Sequence, residues 1–262
     1  MHFLTTILPF LPLLLAAPTK PSSASPSTYK PSSTAKATSS PTAPSGPQLP
    51  LPSSSLPPPS SLANPAPLLK HLGLGLGIQN YTCASPSSNP ISIGAVATLF
   101  DALPLLSAAP FLIPTLPSLT LDAAKSILRH TSSGSDFGPA LTSAVSRFNI
   151  PVLGKHFFSA PGVPNFDLFA AHPPAKLVAK KLGNAAAPPR DGDDDWEDCE
   201  EGEAPGDVDW LVLGDNGSGQ TFGDAKFVYR VWTAGGVATC QDVPAAGGHV
   251  EVPYAAEYWF YG

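Results

Sequence analysis

The residues of this chain best suited to acid–base chemistry are His156, in Gly154-Lys-His-Phe157, and the charged groups able to meet it: Asp101, Asp167, Arg230 and Glu257. An imidazole beside a carboxylate is the smallest set that can shuttle a proton in a reaction. A histidine hydrogen-bonded in a strand for structural reasons is the plainer alternative. Arg230 and Glu257 carry a second expectation, because each lies in an otherwise apolar strand sequence, Phe227-Val-Tyr-Arg-Val-Trp232 and Tyr254-Ala-Ala-Glu-Tyr-Trp259. Burying one charge alone is costly, so on neighbouring strands the two are expected to pair. A ligand-binding pair is the alternative.

Other chemistries lack their residues. His71, His130, His172 and His249 form no H-x-H or H-E-x-x-H pattern, so no metal site is expected. There is no G-x-S-x-G nucleophile elbow. Gly73-Leu-Gly-Leu-Gly77 falls short of a dinucleotide fingerprint: the third glycine comes one position early, and no strand precedes it. Glycines that let a strand edge bend are the better account, and no cofactor is expected. Nine of the chain's 20 acidic residues lie between Asp191 and Glu203. Read as a calcium loop starting at Asp191, this run has Trp196 where glycine is needed and Gly202 where glutamate is needed. A solvated insertion, residues 190–207, is the reading. The net charge of −6 and the lack of a basic cluster argue against nucleic acid as a partner.

Phe3 to Leu15 is an apolar run of signal-peptide length, followed by Leu15-Ala-Ala17 before Pro18. It contains Pro9 and Pro12 and is short for a bilayer span. Residues 1–17 are read as a signal peptide, and the mature protein as secreted, extracellular or wall-associated, with no membrane span. In that compartment the three cysteines allow one disulfide. Cys83 and Cys240 lie near strand ends, and Cys199, inside the acidic run, is left over. A bridge closing so long a loop contributes on the order of 4 kcal/mol. Asn80-Tyr-Thr82 and Asn216-Gly-Ser218 are glycosylation sequons, the second in a turn sequence.

These residues need a scaffold, and the chain supplies it late. The 33 prolines crowd the first quarter, and residues 18–67, rich in Pro, Ser and Thr, are expected to be disordered or PPII-like, a linker or stalk. A single β-rich domain is expected over 68–262. Its strands are Leu74 to Cys83, Ile91 to Ala102, Val152 to Ser159, Phe166 to Ala170, Val208 to Leu213, Lys226 to Thr233 and His249 to Tyr261. Helical spacing over Leu121 to His130, with Thr120 as a cap, predicts a helix. Shorter ones are expected over Pro139 to Phe148 and Ala175 to Leu182. Prolines 104, 110, 114 and 117 forbid long regular structure between them. Without βαβ alternation the expected fold is a mainly antiparallel β-sandwich or barrel with a small helical insertion. The last strand alternates Tyr254, Ala256, Tyr258 and Phe260 on one face with Ala255, Glu257, Trp259 and Tyr261 on the other. Both faces have rings to bury, so it is read as an interior strand.

Six segments together, Gly77-Ile-Gln-Asn-Tyr-Thr-Cys83, Gly94-Ala-Val-Ala-Thr-Leu-Phe-Asp101, Gly154-Lys-His-Phe157, Val208-Asp-Trp-Leu-Val-Leu213, Val228-Tyr-Arg-Val231 with Thr233-Ala-Gly-Gly236, and Val252-Pro-Tyr-Ala-Ala-Glu-Tyr-Trp-Phe-Tyr261, resemble a family of secreted fungal and bacterial proteins classed as domain of unknown function 3455. The resemblance implies a secreted, mostly β domain and supplies no catalytic residues. Members often carry the label malate dehydrogenase, which the residues here do not support. Two functions follow as expectations: a secreted binding module, with cell-wall polysaccharide or another carbohydrate as partner, or an enzyme with its site around His156.

Overall fold

Period-two alternation runs through every strand of this chain, and in the computed structural model it closes into a barrel. The structure describes residues 49–51, 56–130, 143, 145, 149–159, 162–188 and 206–262. The strands are β1 (Leu69–Cys83), β2 (Ile91–Asp101), β3 (Val152–Ser159), β4 (Val163–Leu168), β5 (Ala175–Ala185), β6 (Trp210–Asp215), β7 (Phe227–Gly235) and β8 (Gly248–Tyr261). Each pairs antiparallel with the next, and β8 returns to pair with β1. Closure leaves no free sheet edge, which removes the usual template for edge-to-edge aggregation. The mainly β class was expected. The choice between sandwich and barrel falls to the barrel.

An eight-stranded barrel has an interior just wide enough to be filled by side chains. Here Leu99, Leu153, Phe166, Leu177, Val228, Tyr258 and Phe260 fill it, with small residues such as Ala95, Ala97, Ala175 and Ala179 between them. The glycines of β1 belong to the same fitting. A methyl group on Gly75 would run into the Tyr258 ring, and one on Gly73 would reach Leu99, Leu153 and Phe260. They are not bending a strand edge. They face inward and leave room for the rings of β8.

The alternate residues of β1, Leu72, Leu74 and Leu76, point outward and are equally buried. They lie under the helical connection between β2 and β3, which holds α1 (Leu103–Ala108), a 3-10 turn over Pro110–Thr115, and α2 (Leu116–His130). Leu116, Thr120, Leu121 and Ala124 form the buried stripe of α2, at the spacing of an amphipathic helix. Prolines 104, 110 and 117 sit in the first turns of these short helical pieces, where a missing N–H costs little. Thr120 is not a cap. It lies inside α2, and its hydroxyl donates to the Leu116 carbonyl at 2.6 Å.

Two other expectations change. Residues 175–182 form the first part of β5, not a helix. Their Ala, Lys and Leu content suits a helix, but Ala175, Leu177 and Ala179 turn into the barrel while β5 bonds to β4 and β6. Tertiary pairing overrides local preference. The ordered unit also begins before Leu68: Leu56 is buried in the outer core, and the Pro57 carbonyl accepts the Tyr229 hydroxyl at 2.6 Å. Residues 1–48, Cys199, almost all of the acidic insertion and most of the helix expected over 139–148 lie outside the described residues. Among the described residues, no helix is long and apolar enough to cross a membrane.

A polar cluster at the disulfide end of the barrel

One end of the barrel is where β1 stops, β8 begins and the β7–β8 connection crosses. Cys83 and Cys240 join there, with Cα atoms 5.6 Å apart. The disulfide points to an oxidising compartment. Continuing the inward alternation of β1 past its glycines brings Gln79 and then Tyr81 to this end. Gln79 is buried, and its Nε2 has no hydrogen-bond partner. The Tyr81 hydroxyl donates to the Gly236 carbonyl at 2.6 Å.

Arg230 supplies the charge. On β7, Val228 packs inside the barrel, while Tyr229 and Val231 belong to the outer core, so Arg230 points inward. Its Nε and Nη2 both donate to the Asp209 carbonyl, at 3.2 and 2.7 Å. That carbonyl is held in place by a bulge. Between Val231 and Ala234 the β7–β8 register shifts, and Trp232 takes a left-handed φ of 47°. A bulky residue there is strained, and bulges commonly re-aim side chains beside functional sites. Past the bulge, the Thr233 hydroxyl donates to the Val208 carbonyl at 2.6 Å, and the Gly235 N–H donates to Asp207 Oδ1 at 2.6 Å. The segment carrying Asp209 is thereby tied to the end of β7.

Tyr254 and Tyr258 complete the cluster, their hydroxyls 2.9 Å apart. Burial raises the pKa of both. The Arg230 charge offsets part of the rise for both, as it does for Tyr81, and the guanidinium also donates a hydrogen bond to the Tyr258 hydroxyl. The three phenols are therefore neutral at neutral pH. His156 stacks on Phe166, with ring centroids 4.2 Å apart, and lies 5.7 Å from the Tyr258 ring. Its Nδ1 is 2.9 Å from the Asn165 carbonyl. A carbonyl only accepts, so Nδ1 carries the proton and Nε2 is left as an acceptor. Burial lowers the pKa of His156 to about 4, partly opposed by the Asn165 bond. The ring is neutral, and Arg230 is the one charged side chain among these groups.

The proposed acid–base set does not assemble. Asp101 is at the other end of β2, where its Oδ1 accepts the Leu103 N–H at 3.1 Å. Asp167 alternates with the inward Phe166 and Leu168, and its register partners are Lys155 and Lys176. Glu257 faces the outer core. The expected Arg230–Glu257 pair fails for one reason: the strands are neighbours, but Arg230 stands opposite Tyr258 and Glu257 opposite Val231. A one-residue offset puts them on opposite faces of the barrel wall. Glu257 Oε2 accepts the Trp259 indole N–H at 2.8 Å, its Oε1 has no partner, and burial drives its pKa well above the ordinary carboxyl range. A neutral imidazole with so low a pKa and no carboxylate is a poor general base near neutral pH.

The remaining sites are separate. Asn80 alternates outward on β1 and is half-buried, while Asn216 sits in the β6–β7 turn, its Oδ1 accepting the Ser218 N–H. His71 pairs with Asp224 at 3.0 Å. Among the described residues no three His, Cys, Asp or Glu converge as metal ligands. What the arrangement offers is donors: a fixed guanidinium, an amide and phenols. Gln79, Tyr81, Tyr254 and Tyr258 were missed from sequence, although carrying the alternation of β1 beyond Gly77 identifies the first two.

A family model described as a protein of unknown function (DUF3455) matches residues 65–262. No curated protein and no solved structure matches the chain.

Proposed function

From the premise that the chain belongs to the DUF3455 family, we propose that it is a secreted binding module of the extracellular space. Its ligand is taken at the polar end of the barrel, around Arg230. One observation carries this reading. A buried guanidinium is expensive unless compensated, and this one meets two neutral partners, the Asp209 carbonyl and the Tyr258 hydroxyl. The apolar leader and the Cys83–Cys240 bridge support secretion.

Cell-wall polysaccharide remains the proposed partner, met through a chain end or soluble fragment. The aromatic strand that first suggested sugar binding does not provide the platform, since Tyr254, Tyr258, Trp259, Phe260 and Tyr261 are all buried. Retention of the secreted protein on chitin, glucan and mannan, with Arg230→Met beside it, tests the reading. Wild-type retention and loss in the variant are expected. No retention of a folded sample on any polymer removes the wall partner. Retention that Arg230→Met leaves unchanged moves the site out of the barrel.

A further inference from the structure

We infer that the ligand of this end of the barrel presents a carboxylate, held by Arg230 and by the Gln79 amide. The inference rests on the binding reading above and adds the chemical class of the ligand. A guanidinium has five N–H donors in a rigid plane. The Nε and Nη2 edge is spent on the Asp209 carbonyl. That bond also fixes the plane, and the Tyr258 hydroxyl accepts a further hydrogen bond from the guanidinium, so the outer Nη1/Nη2 edge is held in place with only a neutral phenol beside it, which an anion displaces. This is the edge that meets a carboxylate with two parallel hydrogen bonds.

Gln79 is the second, independent observation. It is 5% exposed, and its Nε2 has no partner; among the described residues only Glu257 Oε1 shares that state. An orphaned buried donor costs its full desolvation penalty, and an acceptor supplied by a ligand removes that cost. Gln79 belongs to the same end as Arg230. A methyl on Gly236 would touch Gln79, Tyr254 and Val208, one residue from Asp209, whose carbonyl holds the guanidinium.

The charges nearby favour an anion that fits and disfavour a loose one. Two carboxylates stand close, and each has another partner: Asp207 accepts the Gly235 N–H, and Asp209 Oδ2 accepts the Asn184 amide. His156 is neutral and Tyr254 and Tyr258 are protonated, so among the histidine and phenols no anion competes for the guanidinium. Tyr258, whose pKa Arg230 lowers, marks the inner limit of the site. An aromatic or sugar acid fits rings and hydroxyls of this kind; a neutral sugar offers Arg230 no matching oxygen pair.

Calorimetric titration of the secreted protein with glucuronate, glucose, benzoate and benzamide tests this, the two pairs differing in the carboxylate. Binding of at least one acid, ten times or more tighter than its neutral partner, is expected. Which acid binds distinguishes a uronic acid from an aromatic acid as the source. Arg230→Lys keeps the charge but loses the planar edge, and should weaken the acid tenfold or more. Gln79→Leu should weaken it several-fold with the charge intact. Both variants are accepted only if their thermal unfolding stays cooperative, and Gln79→Leu decides if Arg230→Lys fails to fold. Equal affinity for acid and neutral partner overturns the carboxylate and leaves the binding site standing. No binding of either acid, or acid binding indifferent to both variants, overturns the proposal.

Discussion

The two faces of β8 are buried alike and work differently. Inward, Tyr254, Ala256, Tyr258 and Phe260 pack into the barrel interior, and their fit depends on what is missing from the neighbouring β1: the side chains of Gly73 and Gly75. Outward, Ala255, Trp259 and Tyr261 meet the helical cover and the leader around Leu56, a layer of ordinary aliphatic packing. Each face also holds one misplaced titratable group, His156 inside and Glu257 outside, and burial keeps both neutral. The inner group belongs to a polar cluster with a charge at its centre. The outer one is alone with an indole. Polarity concentrated on the inner face, beside the disulfide, is what locates the site.

Packing should separate the faces first. Leu74 is fully buried in the outer core, so Leu74→Ala removes methyl groups and leaves a cavity, at a cost of about 2–5 kcal/mol. Its neighbour Gly75 faces inward, and Gly75→Ala forces a methyl against Tyr258, with an overpacking cost of about 1–3 kcal/mol. Urea unfolding of the two variants measures both. Gly75→Ala should also disturb the Tyr254–Tyr258 hydroxyl pair and so weaken any ligand bound there. A stable, unaltered Gly75→Ala would mean the interior is looser than this packing implies.

Acid should then act on the inner face. The folded pKa of His156 lies near 4, below its ordinary 6.5. Stability from keeping this ring neutral is present above pH 6.5 and is lost as pH falls through about 4. The total is on the order of 3 kcal/mol. His156→Phe preserves a ring against Phe166 and cannot titrate, so its unfolding free energy should be flatter between pH 6.5 and 4. Parallel wild-type and variant curves would place His156 in water.

Much of this was legible in the sequence, and the reasons are local. Alternation in β8, β3 and β7 identified strands and sorted the faces of β8 correctly, because a period of two is a property of the residues themselves. The disulfide was legible from two cysteines near strand ends. Register was not. Whether Arg230 meets Glu257 depends on how β7 aligns with β8, and the bulge at Trp232 leaves no clear mark in the sequence. The helical reading of 175–182 failed for a related cause: only the gap between β4 and β6 makes that stretch a strand. The cluster at Arg230 joins residues from β1, β3, β7 and β8, which only closure of the barrel brings together.

Glu257 tests the outer face. Its carboxyl has one hydrogen bond and no charged neighbour; desolvation raises its pKa well above 4.5, and only the Trp259 N–H opposes this. Below pH 4.5 the group is protonated in folded and unfolded chains alike, and it imposes no pH dependence. Above that value the unfolded chain ionises while the folded one holds its proton, so stability falls as pH rises until the folded pKa is passed. Glu257→Gln keeps an acceptor for the indole and abolishes the titration. As pH rises above 4.5, wild type should therefore lose stability relative to this variant, in urea midpoints read at each pH. The slope is opposite in sign to that of His156, so the two faces are distinguished by the direction in which pH weakens them. A wild type that tracks Glu257→Gln across this range would mean the carboxyl reaches water or a cation, and the outer layer would no longer be the dry one.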